Sequence, residues 1–294
     1  MAEVLESIEP LLDRYDGFLV DQFGVLYDGV QVLPGAREAL VLLRERRKRV
    51  LILSNSGRRA AVNRDRLARL GLEPELYTAL VSSGEAAWWG LMQRTDETFA
   101  DLGRRCLYFS RGRDLSALEG LDYRLAPDAD EADFVLLSGL DPDEAARERC
   151  RRQLERALAR GLPLVCANPD VVSLEGERRV DGPGAFAARY AAAGGDVRYV
   201  GKPWPAVYRM ALAILELPPD RLVAVGDSLD HDIAGAAPFG IDGALVLGGV
   251  HAAHFAGAVS AADLDARLAA LCQGQPFRPH WLLRAFRPSS ARQG

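Results

Sequence analysis

Phe18-Leu19-Val20-Asp21-Gln22-Phe23-Gly24 and, further on, Val50-Leu51-Ile52-Leu53-Ser54-Asn55 are the stretches on which the fold turns. Each is a short unbroken apolar run that ends in a polar residue, the pattern of a strand buried on both faces of a parallel sheet. Between them, Gly35 to Lys48 carries apolar residues at 36, 39, 40 and 43, one face of a helix. Strand, helix and strand in that order predict a βαβ unit. A second helix is expected from Arg59 to Leu70, stopped by Gly71.

The same alternation continues outward from this unit. Strands are expected at 105–109, 134–137, 164–167, 197–200, 222–225 and 244–247. Asp141-Pro142-Asp143-Glu144 predicts a helix start, with Asp141 as N-cap and Pro142 as first helical residue, running to Arg160. Further helices are expected at 184–193 and 205–216, and around Ile233. The fold class is therefore α/β. Phe277 to Phe286 should pack on the core, and the chain should fray from Pro288.

Composition excludes several classes. The 294 residues are 49% hydrophobic and 26% charged, a globular balance rather than a disordered or fibrous one. A net charge of −5 without a basic run argues against nucleic acid as partner. No apolar stretch reaches the 18 or so residues of a membrane span. The acidic start, Met1-Ala2-Glu3-Val4-Leu5-Glu6, is unlike a secretory signal, so the expected location is cytoplasmic. Cys106, Cys150, Cys166 and Cys272 lack metal-site spacing and read as reduced, buried thiols. Among 36 basic residues only Lys48 and Lys202 are lysines. A lone ammonium in a chain that otherwise writes arginine stands out.

Four expected strands end in polar clusters: Asp21, Ser54-Asn55, Lys202, and Asp227 with Asp232. Taken singly, Asp21 reads as a strand-end turn, Ser54-Asn55 as a turn and helix cap, and Lys202 as a solvated surface residue. Asp227, Asp230 and Asp232 lie within six residues, and like charges that close repel unless a cation joins them. Ligands of open parallel sheets bind at the carboxyl ends of strands. Together the clusters offer carboxylates for a metal, a hydroxyl and amide donor, and an ammonium. That inventory suits a phosphoryl group bound with Mg²⁺.

Asp21 after the first strand, Ser54-Asn55 after the second, Gly201-Lys202-Pro203 and then Gly226-Asp227 followed by Asp232 resemble the motif order of the haloacid dehalogenase superfamily. The spacing is similar to its class IIA branch of NagD-like and p-nitrophenyl phosphate phosphatases. Ser83-Gly84-Glu85-Ala86, Asn168-Pro169-Asp170 and Gly182-Pro183-Gly184-Ala185 also look like that branch's hinge and cap sequences. The resemblance implies a doubly wound parallel-sheet, Rossmann-like core at 1–82 and 199–294, with an inserted α/β cap domain at 83–198. It further implies a Mg²⁺-dependent phosphatase acting on a small phosphorylated metabolite through an aspartyl phosphate. Asp21 would be the nucleophile, and Lys202 would neutralise Asp21 and the phosphate. Ser54, Asn55 and Lys202 would hold phosphate oxygens. Asp21, Asp227 and the Phe23 main-chain carbonyl would be metal ligands, with Asp232 close behind. Asn168 and Asp170 would face the substrate. A homodimer is allowed by this reading and not required by it.

One position departs from the family pattern. Phosphatases of the family carry D-x-D-G, whereas this chain has Asp21-Gln22-Phe23-Gly24. Phenylalanine can neither protonate a leaving alcohol nor activate water. General acid–base catalysis is typically worth about 10²–10⁴-fold, so the expectation is a slowed phosphatase that favours leaving groups of low pKa. Replacement acids are sought in Asp28, His231 and Asp170. The competing expectation is a catalytically degenerate relative that binds a phosphorylated ligand as a sensor or partner protein. A response-regulator receiver would place its acidic cluster before the lysine, and a dinucleotide-binding dehydrogenase would need G-x-G-x-x-G after the first strand. A dehalogenase would carry a helical cap.

Overall fold

The computed structural model describes residues 2–175 and 178–289. In chain order its strands are β1 (Glu3–Leu5), β2 (Gly17–Val20), β3 (Arg49–Ser54), β4 (Ala79–Ser82), β5 (Arg105–Phe109), β6 (Arg124–Leu125) and β7 (Phe134–Leu137). They continue with β8 (Leu164–Cys166), β9 (Val172–Glu175), β10 (Arg178–Asp181), β11 (Val197–Tyr199), β12 (Leu222–Gly226), β13 (Asp242–Val246) and β14 (Trp281–Leu283). The chain forms two compact units. One holds residues up to Ser54, Arg64–Val81 and the chain from Tyr208 onward; the other holds Asn55–Asn63 and Ser82–Val207.

The first unit is built on a seven-stranded sheet in the order β1-β14-β13-β12-β2-β3-β4. The pairings of β1 with β14, β14 with β13, β13 with β12, β12 with β2 and β2 with β3 are parallel. Every residue of the central strands β2 and β12 is buried, which explains their unbroken apolar runs. The helix Ala36–Glu45 buries Ala36, Ala39, Leu40 and Leu43, the face read from its periodicity. Each of the two leucines, withdrawn from water, stabilises the fold by about 1.5–3 kcal/mol, and each alanine by less.

The second unit carries a five-stranded parallel sheet in the order β11-β8-β7-β5-β6 and the antiparallel pair β9–β10. Val135 and Leu137 of β7, Leu164 of β8, and Phe186 and Tyr190 of the helix Pro183–Ala192 share one core. All four cysteines are free and buried. Burial pushes the Cys150 and Cys166 thiols up to about 12, so they sit in this structure as small apolar side chains. No helix among the described residues is long and apolar enough to cross a membrane.

Two local expectations are corrected and two are filled out. The helix Glu144–Ala159 is capped by Asp143, whose carboxylate accepts the Ala146 N–H at 2.8 Å. Asp141 is occupied elsewhere, accepting the Gly112 N–H at 2.7 Å. The helix expected around Ile233 is present, opening as a wide five-residue helical turn, Leu229–Ile233, and continuing into a short α-helix, Ala234–Ala236. The segment after Gly274 does more than pack on the core, since β14 is an internal strand between β1 and β13. Nor does the chain loosen at Pro288: the Ser289 N–H and hydroxyl both reach the Glu9 carboxylate, at 2.9 and 2.7 Å. The rest of the expected fray, 290–294, lies outside the described residues.

Candidate active site

Strands β12, β2 and β3 are neighbours and run parallel, so their carboxyl ends lie side by side. Asp227 follows β12, Asp21 follows β2 and Ser54 closes β3. Topology alone therefore gathers three of the residues singled out from sequence. Oxygen atoms of Asp21, Asp227 and Asp232 lie within 4.8 Å of one another, with Asp227 and Asp232 buried.

Backbone amides hold each carboxylate in place. Asp21 accepts the Gln22 N–H at 2.7 Å, Asp227 the Val250 N–H at 2.8 Å, and Asp232 the Ser228 N–H at 3.1 Å. Two glycines press on Asp227. A Cβ at Gly24 would lie 2.1 Å from Asp227 Oδ2, and one at Gly249 would lie 1.8 Å away. Both also have positive φ, so only glycine lets these loops approach the carboxylate. The sequence reading passed over Gly249, which no local motif marks.

Three hard oxygen donors at this separation, largely withdrawn from water, fit a divalent cation of the Mg²⁺ type. Without one, their mutual repulsion would work against the fold. Phe23 is half-buried beside them, its ring edge-on to Tyr27 with centroids 6.0 Å apart. Gln22 is also buried, and its Nε2 has no acceptor among the described residues. That amide is a donor beside Asp21 which the sequence reading did not weigh.

Asn55, Lys202 and Asp170 meet in the second unit. Lys202 follows β11, a strand of the five-stranded sheet rather than of the seven-stranded one. Asn55 Oδ1 accepts the Lys202 N–H at 2.7 Å, while its Nδ2 donates to the Lys202 carbonyl at 3.2 Å and to Asp170 Oδ1 at 2.8 Å. Asn168 Oδ1 accepts the Asp170 N–H at 3.2 Å.

The replacement acids fare as follows. Asp28 is an exposed turn residue that accepts the Val30 and Gln31 N–H groups, both at 2.9 Å. Those amides hold its carboxyl below the usual range, the wrong direction for a proton donor. His231 lies in the Leu229–Ile233 turn, where its N–H donates to Ser228 Oγ and its carbonyl accepts the Tyr208 hydroxyl. Asp170 is engaged by Asn55.

An α/β protein with a parallel core sheet, a second parallel sheet and an acidic trio at the strand ends belongs to a known class. The chain is a member of the haloacid dehalogenase-like hydrolase family, in its class IIA branch. Residues 18–124 match the family described as haloacid dehalogenase-like hydrolase, and residues 199–270 match the one described as HAD-hydrolase-like. Chronophin of Mus musculus is 31% identical over 83% of this chain and 85% of its own length. The sugar-phosphatase AraL of Bacillus subtilis is 29% identical over 79% of this chain and 83% of its own. Among solved structures, a haloacid dehalogenase-like hydrolase from Brucella suis superposes with a TM-score of 0.80 at 30% identity, covering 96% of this chain and 99% of that one.

Proposed function

We propose that the protein is a Mg²⁺-dependent phosphatase of small phosphorylated metabolites, working through an aspartyl phosphate on Asp21. The observation that carries this reading is the convergence of Asp21, Asp227 and Asp232 at the ends of adjacent parallel strands. Relatives that are phosphatases, among them the sugar-phosphatase AraL, support it. The Asp21 carboxylate attacks phosphorus, the bond to the leaving oxygen breaks, and that oxygen departs with the electron pair. Water then attacks the phosphorus of the aspartyl phosphate, releasing phosphate and restoring the carboxylate. Asp21, Asp227 and the Phe23 carbonyl would hold Mg²⁺, with Asp232 supporting. Charge neutralisation at the phosphoryl oxygens is the chemistry a bound cation supplies there. Ser54, Asn55 and Lys202 would bind the phosphate, and residues 83–198 would form the cap. With Phe23 where the family carries its acid, leaving groups that depart unprotonated should react fastest.

Release of p-nitrophenol from p-nitrophenyl phosphate, with Mg²⁺ or EDTA, tests this for the wild type and Asp21→Asn. The expected result is Mg²⁺-dependent turnover that falls to background in the variant. Absence of turnover in the wild type would overturn the reading. Phe23 would then favour a protein that binds a phosphorylated ligand without hydrolysing it.

A further inference from the structure

We infer that Asp170 is a positioning residue, whose carboxylate fixes the side-chain amide of Asn55 and, through it, the backbone of Lys202. What Lys202 then does for a phosphate rests on the function proposed above. The bonding itself is described by geometry. Asn55 and Lys202 are both buried, and one amide touches both backbone groups of residue 202. Holding the N–H and the carbonyl of one residue together fixes the direction in which its side chain leaves the backbone.

A primary amide is nearly symmetric in shape, and its ends differ only in donating or accepting. Turned over, the Asn55 amide would set its NH₂ against the Lys202 N–H and its oxygen against two acceptors, the Lys202 carbonyl and Asp170. Its bond to the Lys202 carbonyl is long, at 3.2 Å, whereas the bond to Asp170 is 2.8 Å and charge-assisted. Asp170 is thus the stronger partner of the donating end.

The backbone of Asp170 is itself bonded on both sides, and the next residue is bonded too. The Asp170 N–H donates to Asn168 Oδ1, its carbonyl accepts the Gly184 N–H at 3.0 Å, and the Gly182 N–H donates to the next carbonyl, that of Val171, at 2.8 Å. A Cβ at Gly182 would come within 2.1 Å of the Asp170 carbonyl oxygen, and one at Gly184 within 2.1 Å of that of Pro169. The Gly182-Pro183-Gly184 run is what lets the start of the helix Pro183–Ala192 press against residues 169–170. Gly201 makes the same kind of close approach on the other side, where a Cβ would meet Ser83 Oγ at 2.3 Å. Asp170 therefore has the surroundings of a rigid anchor. Its bonded carboxylate accounts for it without any substrate contact.

The test compares Asp170→Ala and Asp170→Asn with the wild type by two readouts. The first is kcat/KM for p-nitrophenyl phosphate and for glycerol phosphate, with inorganic phosphate as competitive inhibitor. Asp170→Ala should lose about 10–100-fold on both esters alike and weaken phosphate inhibition. Asp170→Asn, which keeps an acceptor oxygen, should recover most of the loss. The second readout is amine acetylation followed by mass spectrometry, which separates Lys202 from Lys48, the only other lysine. Labelling of Lys202 relative to Lys48 should rise several-fold in Asp170→Ala, whereas general unfolding would raise both.

A loss confined to one ester would make Asp170 a substrate contact or a proton donor and overturn the inference. An unchanged labelling ratio would overturn it as well. A wild type inactive on both esters would count against the phosphatase reading alone, and the labelling ratio would still decide the role of Asp170.

Discussion

At the scale of a single residue, Phe23 carries the weight of the proposed function, since it stands where the resemblance leads one to expect an acid. Its ring lies edge-on to Tyr27, over whose own ring Arg66 sits at 5.1 Å, so an aromatic cluster fills this position. Phe23→Asp would forfeit about 0.5–1.5 kcal/mol of ring contact and gain a proton donor and acceptor. For alkyl phosphates the expected gain in kcat/KM is about 10²–10⁴-fold, because an alkoxide leaves badly without a proton. For p-nitrophenyl phosphate the gain should be much smaller. The two ratios, measured side by side with Mg²⁺ present, check the assignment. Equal gains on both esters would contradict it.

At the scale of elements, β14 shows how much a short segment can matter. Leu282 and Leu283 are fully buried, and Trp281 Nε1 donates to the Tyr15 hydroxyl at 2.9 Å. Leu282→Ala should destabilise the protein by about 2–5 kcal/mol, read as a lowered urea midpoint. A change under 0.5 kcal/mol would mean that the strand is not part of the core. This element was only partly legible in the sequence. Strands β2, β3 and β12 announce themselves by buried runs of three or four apolar residues, which no helix face requires. Trp281-Leu282-Leu283 is too short for a period and sits among prolines and arginines, so its place inside the sheet depends on partners far along the chain. The site divides in the same way. Asp21, Ser54 and Asp227 were readable because each stands directly after or at the end of such a run. The hold of Asn55 on Lys202 joins residues 147 positions apart, and no local pattern encodes it. Asp143 displaced Asp141 as a cap because a long-range bond to Gly112 claimed the first carboxylate, again a tertiary choice.

For the molecule as a whole, His251 ties stability to pH. Its Nε2 accepts the Leu229 N–H at 3.2 Å, and burial holds the ring below its ordinary value of 6.5 despite the opposing pull of Asp230 and Asp232. The unfolded chain takes up this proton more readily than the folded one. Its contribution to stability is therefore full above about pH 6.5 and is lost as the pH falls through the lower folded value. Melting temperatures taken at about pH 7.5 and about pH 5.5 should differ less for His251→Gln than for the wild type. Equal differences would show that this ring does not couple to folding.

The pairing of Leu5 with Leu283 has a further bearing, on how the protein is made. Strand β1 has as its sheet neighbour β14, about 280 residues further along the chain, and at 5–20 residues per second it waits roughly 14–56 s for it. The stretch 82–207 is contiguous and emerges whole in the meantime. During translation the inserted unit can thus mature early, while the sheet that carries Asp21 is sealed only once β14 has emerged.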